Sequence, residues 1–284
     1  HTRYGALGTM AVGEGGPELV KQLLRQTYDV KRPPVIAVYL KGKLRKGVGP
    51  QDVALALVKA TFASGFVKNK ILEFIGPGIA NLSMDYRIGI DVMTTETTCL
   101  SSIWETDEKT QEFFRVHGRE GDYKKLTVSQ PAYYDGAVVI DLSRVEPMIA
   151  LPFHPSNAYT IREFLERPVE LLKIAEEQGR KLKGDDSFTL TDKVKDGKVY
   201  VDQGVIAGCA GGGYENVAEA AEILRGKSVG TGEFALSVYP ASQPVYKALT
   251  EGGYVGTLME AGAVVKTAFC GPCFGAGDVP ANNG

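Results

Sequence analysis

No stretch constrains this chain more than Thr267-Ala268-Phe269-Cys270-Gly271-Pro272-Cys273-Phe274-Gly275-Ala276-Gly277-Asp278, where two cysteines stand three positions apart among small residues. The apolar segment before it, Ala263-Val264-Val265, reads as a buried strand. A third cysteine, Cys209, ends a second apolar run, Gly204-Val205-Ile206-Ala207-Gly208, and opens a glycine-rich turn. Three thiolates delivered by strand ends into loops, with no histidine nearby to complete a tetrahedron, suit a cluster that keeps one iron free for substrate. Spacing alone still leaves an iron–sulfur cluster, a zinc site and a redox dithiol open. A structural zinc site usually takes four ligands, and here the second Cys-x-x-Cys is missing. Cys99 lies in an apolar segment (Thr97-Thr98-Cys99-Leu100) that reads as a strand, where an inert packed thiol is expected. A thioredoxin-like pair would open a helix at once, whereas Phe274-Gly275-Ala276-Gly277 is poor in helix formers.

The chain has 284 residues, room for about two domains of roughly 100–200 residues each. Its 44% hydrophobic and 23% charged residues describe an ordinary globular protein. Net charge is −2, with bases scattered among acids, so no electrostatic case for nucleic acid exists. The basic run Lys41-Gly42-Lys43-Leu44-Arg45-Lys46 reads as a solvated loop. No apolar stretch approaches the ~18–20 residues that cross a bilayer. Four cysteines in a chain this long do not make a disulfide scaffold. The expected location is therefore a reducing one, the cytoplasm, with the mitochondrial matrix left open. The chain begins at His1-Thr2-Arg3 and stops at Asn282-Asn283-Gly284, inside what reads as a functional loop, so a piece of something longer is expected.

Along the chain, a glycine-dense start ends at Pro17 and a helix from Glu18; its glycines read as a packing turn or an anion cradle. Strands are expected at Val35–Leu40, Lys70–Ile75, Thr97–Leu100 and Ala137–Asp141, with helices from Pro50, after Ser83 and from Asp107. This alternation means an α/β layer structure with parallel strands. Residues 119–135 read as loop, and a connector with Pro147, Pro152 and Pro155 precedes a charged helix over Pro168–Leu182. The segment Lys183–Lys198 is polar and expected to be solvated. Strands at Val205–Ala207, Phe234–Val238 and Ala263–Val265, with helices over Asn216–Leu224, Pro244–Thr250 and Tyr254–Ala261, repeat the theme.

A set of blocks breaks the tie among the thiol chemistries. They are His1-Thr2 with the glycines that follow, Leu40-Lys41-Gly42-Lys43-Leu44, Glu73-Phe74-Ile75-Gly76-Pro77-Gly78, Glu96-Thr97-Thr98 and Asp141-Leu142-Ser143. Further on stand Pro152-Phe153-His154-Pro155, Cys209 with Gly213-Tyr214-Glu215, and Cys270-Gly271-Pro272-Cys273. In this order, and across the whole chain, they resemble the large-domain core of the aconitase superfamily of iron–sulfur hydratases (aconitase and isopropylmalate dehydratase large-subunit type), truncated at both ends. The resemblance implies an α/β fold of the aconitase-like first-three-domains type, with parallel or mixed sheets flanked by helices in three αβα layers. It divides the chain into 1–33, the remainder of an N-terminal domain, 34–146, a second α/β domain, and 147–284, a third that carries the cysteines.

The resemblance also implies a [4Fe–4S] cluster held by Cys209, Cys270 and Cys273, its fourth iron acting as a Lewis acid toward a hydroxy polycarboxylic acid. His1 matches a histidine near the substrate, and Glu96 a glutamate that positions the iron-bound hydroxyl. His117 and His154 match no role; the first is expected to be solvated and the second to shape a turn. Departures are instructive. Ala210-Gly211-Gly212 stand where better-known aconitases carry Thr-Asn-Ser or similar, and Val92 stands where an asparagine is expected. The substrate-clamping arginines and an active-site serine belong to parts beyond Gly284, so a swivelling C-terminal domain or a small subunit is expected as partner. The implied function is a divergent aconitase-like hydro-lyase acting on a small di- or tricarboxylate, with no membrane partner. The alternatives are an isopropylmalate or homoaconitate dehydratase large subunit, an RNA-binding regulatory relative, and a zinc-bound structural module.

Overall fold

The computed structural model describes residues 4–278, apart from Glu14 and Tyr28. The chain divides into two compact units, His1–Val145 and Glu146–Gly284.

In the first unit, α1 (Gly16–Leu23) starts on Pro17 and buries none of its residues. The strand β1 (Val35–Lys41) is a β-branched run whose Ile36, Ala37, Val38 and Leu40 are buried, as a central parallel strand covered on both faces must be. Pro50 then opens α2 (Pro50–Thr61), and Asp52 accepts the Gly49 N–H at 2.7 Å to cap it. After β2 (Ile71–Ile75), Ser83 caps α3 (Met84–Val92) by accepting from Tyr86 N–H at 3.2 Å. β3 (Ser101–Trp104), α4 (Glu108–Val116), capped by Asp107, and β4 (Gly136–Asp141) complete the unit.

The sheet order is β3-β2-β1-β4, parallel throughout. Its core includes Ile36, Val38, Leu40, Leu57, Leu72, Phe74 and Trp104, the last two stacked at 4.1 Å between ring centroids. Each such fully buried side chain contributes about 1.5–3 kcal/mol. Three of the motif blocks meet at the C-terminal edge of this sheet. Gly78 N–H donates to Leu40 O at 2.9 Å, Asn81 Nδ2 donates to Gly42 O at 2.8 Å, and Lys41 pairs with Asp141 at 3.6 Å.

The strand expected at Thr97–Leu100 begins later, at Ser101. Thr94 and Thr97 hydroxyls donate back to the carbonyls of Asp91 and Thr94, at 2.7 and 2.6 Å, and carry α3 on as a 3-10 turn, Met93–Thr97.

In the second unit the proline-rich connector is an antiparallel hairpin of β5 (Met148–Ala150) and β6 (Ala158–Thr160). Within its turn, the His154 ring nitrogen Nδ1 meets Ser156 Oγ at 2.9 Å and accepts the Ser156 N–H at 3.1 Å. Helices α5 (Ile161–Glu166) and α6 (Pro168–Lys183) follow. The segment after α6 is not simply solvated. Phe188 and Leu190 are buried with Leu171, Leu172 and Ala175 of α6, and a hairpin of β7 (Val194–Lys195) and β8 (Lys198–Val199) closes it.

Next come β9 (Gln203–Ile206), a single helical turn α7 (Gly208–Gly211), α8 (Tyr214–Leu224) and β10 (Ala235–Val238). The helices α9 (Gln243–Glu251) and α10 (Tyr254–Glu260) lead to β11 (Val264–Val265). These three strands form a parallel sheet in the order β11-β10-β9, over a core of Val217, Ala221, Val238, Leu249 and Leu258. Among the described residues, no helix is long and apolar enough to cross a membrane.

Candidate functional site

The outer strands of the small sheet deliver the cysteines. Cys209 lies in the turn after β9, and Cys270 and Cys273 follow β11, Cys273 inside a 3-10 turn, Gly271–Phe274. Cys209 and Cys270 line one cavity of about 210 Å³ with Gly208, Pro240, Ala241, Ala268 and Phe269. The Cys273 sulfur lies against Gly208, where a Cβ would stand 2.9 Å from Sγ. Gly208 has φ +77, so glycine serves there twice, by accepting a left-handed backbone and by leaving room for the sulfur. Cys270 and Cys273 are exposed and Cys209 half-buried; all four cysteines stand as thiols.

Backbone contacts fix the Cys209 turn. Asn216 Nδ2 donates to Ala210 O at 2.7 Å, and Ala241 N–H donates to Gly212 O at 2.8 Å. A Cβ on Gly212 would lie 2.4 Å from Tyr239 O, so only glycine lets the turn approach the end of β10 this closely. The Cys270–Cys273 loop is closed by Cys273 N–H to Cys270 O at 3.1 Å and Ala276 N–H to Gly271 O at 2.8 Å, with Phe274 edge-on to Phe269.

The base of that loop carries polar groups whose role the sequence did not disclose. Tyr239 O–H and Lys266 Nζ both donate to Asp278 Oδ2 at 2.6 Å. The Lys266 ammonium, helped by Tyr239, holds the Asp278 carboxyl down at about 2. Only the position of Tyr239 and Lys266 directly after strand-like runs could have marked them.

The other sequence-predicted residues lie elsewhere. Glu96 is half-buried on the 3-10 turn Met93–Thr97 of the first unit. His1 lies outside the described residues. Cys99 sits beyond that turn rather than in a strand, its Sγ 3.3 Å from Thr94 O and its side chain packed on the first core, and burial pushes its thiol up. His117 ends α4 exposed, its Nδ1 2.8 Å from Phe113 O.

Sequence reading noted Asp91 only as the neighbour of Val92 and gave it no role; it is a fully buried carboxyl that accepts from Trp104 Nε1 at 2.8 Å and Ala6 N–H at 3.2 Å. It ties the 3-10 turn Gly5–Leu7 to the sheet and stands one helical turn after Arg87, the other fully buried charged side chain of α3.

Two sulfurs, those of Cys209 and Cys270, line the cavity with no carboxylate or imidazole among its lining residues, and the Cys273 sulfur lies against Gly208 of the same wall. Soft thiolates of this kind fit iron–sulfur chemistry. Among the described residues no three His, Cys, Asp or Glu side chains converge on a single ion.

The Aconitase family (aconitate hydratase) matches the chain over residues 1–284. The 2,3-dimethylmalate dehydratase large subunit of Eubacterium barkeri is 32% identical over 272 residues, covering 96% of this chain and 57% of its own length. The 3-isopropylmalate dehydratase large subunits of Moorella thermoacetica and Acetivibrio thermocellus are 33% and 32% identical, over 96% of this chain and 56% and 57% of their own lengths. The chain thus spans about half the length of the curated relatives it matches.

Proposed function

Because the chain belongs to the aconitase family, we propose that it is the cluster-bearing part of a hydro-lyase that interconverts a hydroxy polycarboxylic acid and its unsaturated counterpart. The observation that carries the reading is the meeting of Cys209 and Cys270 on one cavity, with the Cys273 sulfur against Gly208. In this reading the three thiolates hold a [4Fe–4S] cluster, which when bound supplies a Lewis acid that eases departure of hydroxide from the substrate.

The chain's own residues do the rest. The Gly208 turn and the Cys270–Cys273 loop hold the sulfurs in place. By its match to the family's glutamate, Glu96 is assigned to position the substrate hydroxyl through a hydrogen bond. His1, which lies outside the described residues, is assigned a polar role toward substrate by its match to the family's histidine alone. Pro240, Ala241, Ala268 and Phe269 bring apolar side chains to the cavity, whose wall is polar and apolar in equal measure, and the neighbouring Ala210-Gly211-Gly212 carry no hydroxyl or amide side chain. An alkyl-substituted malate is the substrate class that the names of the relatives favour over citrate. Substrate carboxylates would be gripped by a further domain or a small subunit.

Anaerobic reconstitution tests the reading. About four iron and four sulfide per chain are expected, with both lost in Cys270→Ser, and with hydration of alkyl-substituted unsaturated dicarboxylates once the second part is added. Zinc bound without sulfide, or no hydration of any unsaturated di- or tricarboxylate by the loaded, completed enzyme, would sink it.

A further inference from the structure

We propose that Tyr239, Lys266 and Asp278 form a positioning device that sets the spacing between the Cys209 turn and the Cys270–Cys273 loop, so that a cluster is retained only while the device is closed. The inference rests on the cluster-bearing reading and assigns it residues that touch neither iron nor substrate.

Tyr239 follows β10, the middle strand of the three. Its main chain faces the Cys209 side. The Tyr239 N–H donates to Ile206 O at 2.7 Å, just ahead of Cys209, and its carbonyl is the surface on which Gly212 packs. Its side chain faces the other way and donates to Asp278 at 2.6 Å. Lys266, placed before Cys270, donates to the same carboxylate oxygen at 2.6 Å and lies 5.4 Å from the centre of the Tyr239 ring. Asp278 stands after Cys273, so the Lys266–Asp278 pair cinches the base of the two-cysteine loop while Tyr239 ties that base to the Cys209 turn. One residue therefore touches the supports of all three sulfurs.

The ion pair is partly exposed, with side chains at 36% and 19%. Exposed pairs contribute little to stability, so the consequence of this one is geometric. Outer residues that orient metal ligands change metal retention by roughly ten-fold or more when removed.

The test uses the whole protein, loaded anaerobically with ferrous iron and sulfide, and follows loss of the visible cluster absorption to an iron chelator. Tyr239→Phe keeps the ring and removes only the donor; Asp278→Asn removes the charge; Asp278→Glu restores it. Tyr239→Phe and Asp278→Asn are expected to lose iron about ten-fold faster than wild type, Asp278→Glu at close to the wild-type rate, and all three apo chains to melt as wild type does. Loss at the wild-type rate in both Tyr239→Phe and Asp278→Asn overturns the device while leaving the cluster reading intact. Apo variants that no longer fold also overturn it, since the trio would then belong to the general framework. A wild-type chain that takes up no iron and sulfide overturns the cluster reading and this inference together.

Discussion

Burial pushes the Asp91 carboxyl up to about 6, against hydrogen bonds donated by Ser102, Trp104 and the backbone of Ala6 and Gly5. A carboxyl whose folded value lies above its unfolded 3.8 binds more protons in the native state, so its contribution to stability is largest at low pH and is lost as pH rises through 6. Between pH 7 and pH 5 the chain is therefore expected to gain about 1 kcal/mol from this group, and Asp91→Asn to flatten the rise in thermal denaturation measured across that range. The Arg87–Asp107 pair works in the other direction at lower pH. Burial alone would raise the Asp107 carboxyl, but the hydrogen bonds and charge of Arg87 outweigh it and leave it lowered, so its support is lost only on further acidification. At this scale the sequence was a partial guide. Cys209, Cys270 and Cys273 stood out because thiols next to strand-like runs have few uses, and the structure brings Cys209 and Cys270 to one cavity. Asp91, Tyr239 and Lys266 were not, since nothing local distinguishes a polar residue that finds its partner across a turn from one that faces water.

Among the elements, the strands and capped helices were readable wherever side-chain pattern and cap agreed, as at Val35–Lys41 and at Ser83 ahead of α3. They were misread where tertiary contacts decide. Phe188 and Leu190 are two apolar residues in a run of Lys, Asp and Gly, and their burial depends on Glu176, whose Oε1 accepts from Leu190 N–H at 2.6 Å, Thr191 N–H at 2.9 Å and Thr191 Oγ1 at 2.9 Å. A buried acid in the middle of α6 makes sense only with those donors against it. Glu176→Ala should free this segment, raising amide exchange at Leu190 and Thr191 by the equivalent of roughly 1–3 kcal/mol and leaving the β9–β10–β11 sheet protected. Glu176→Gln, which keeps an acceptor, should retain most of the protection. Equal protection in wild type and the alanine variant would show that the segment is held by its apolar contacts alone.

For the whole molecule, each unit has its own core, and all three proposed cluster ligands fall in Glu146–Gly284. Residues 146–284 expressed alone should therefore still take up iron and sulfide on anaerobic reconstitution, while 1–145 should take up none; uptake by the first piece alone would contradict the ligand assignment. Family membership was legible from ordered blocks spread over both units, which no single motif could have supplied. The narrower question of substrate was not, because it turns on a few cavity-lining side chains that no local pattern marks. A final consequence follows from β10 lying between β9 and β11. Neighbouring strands sit about 4.8 Å apart whatever their side chains, so two strand steps, roughly 10 Å, separate the points where the peptide enters the two sulfur-bearing bends. That width is a gauge cut by amide hydrogen bonding itself. Replacing the residues that greet a substrate can change what the pocket admits, but it leaves the gauge as it was.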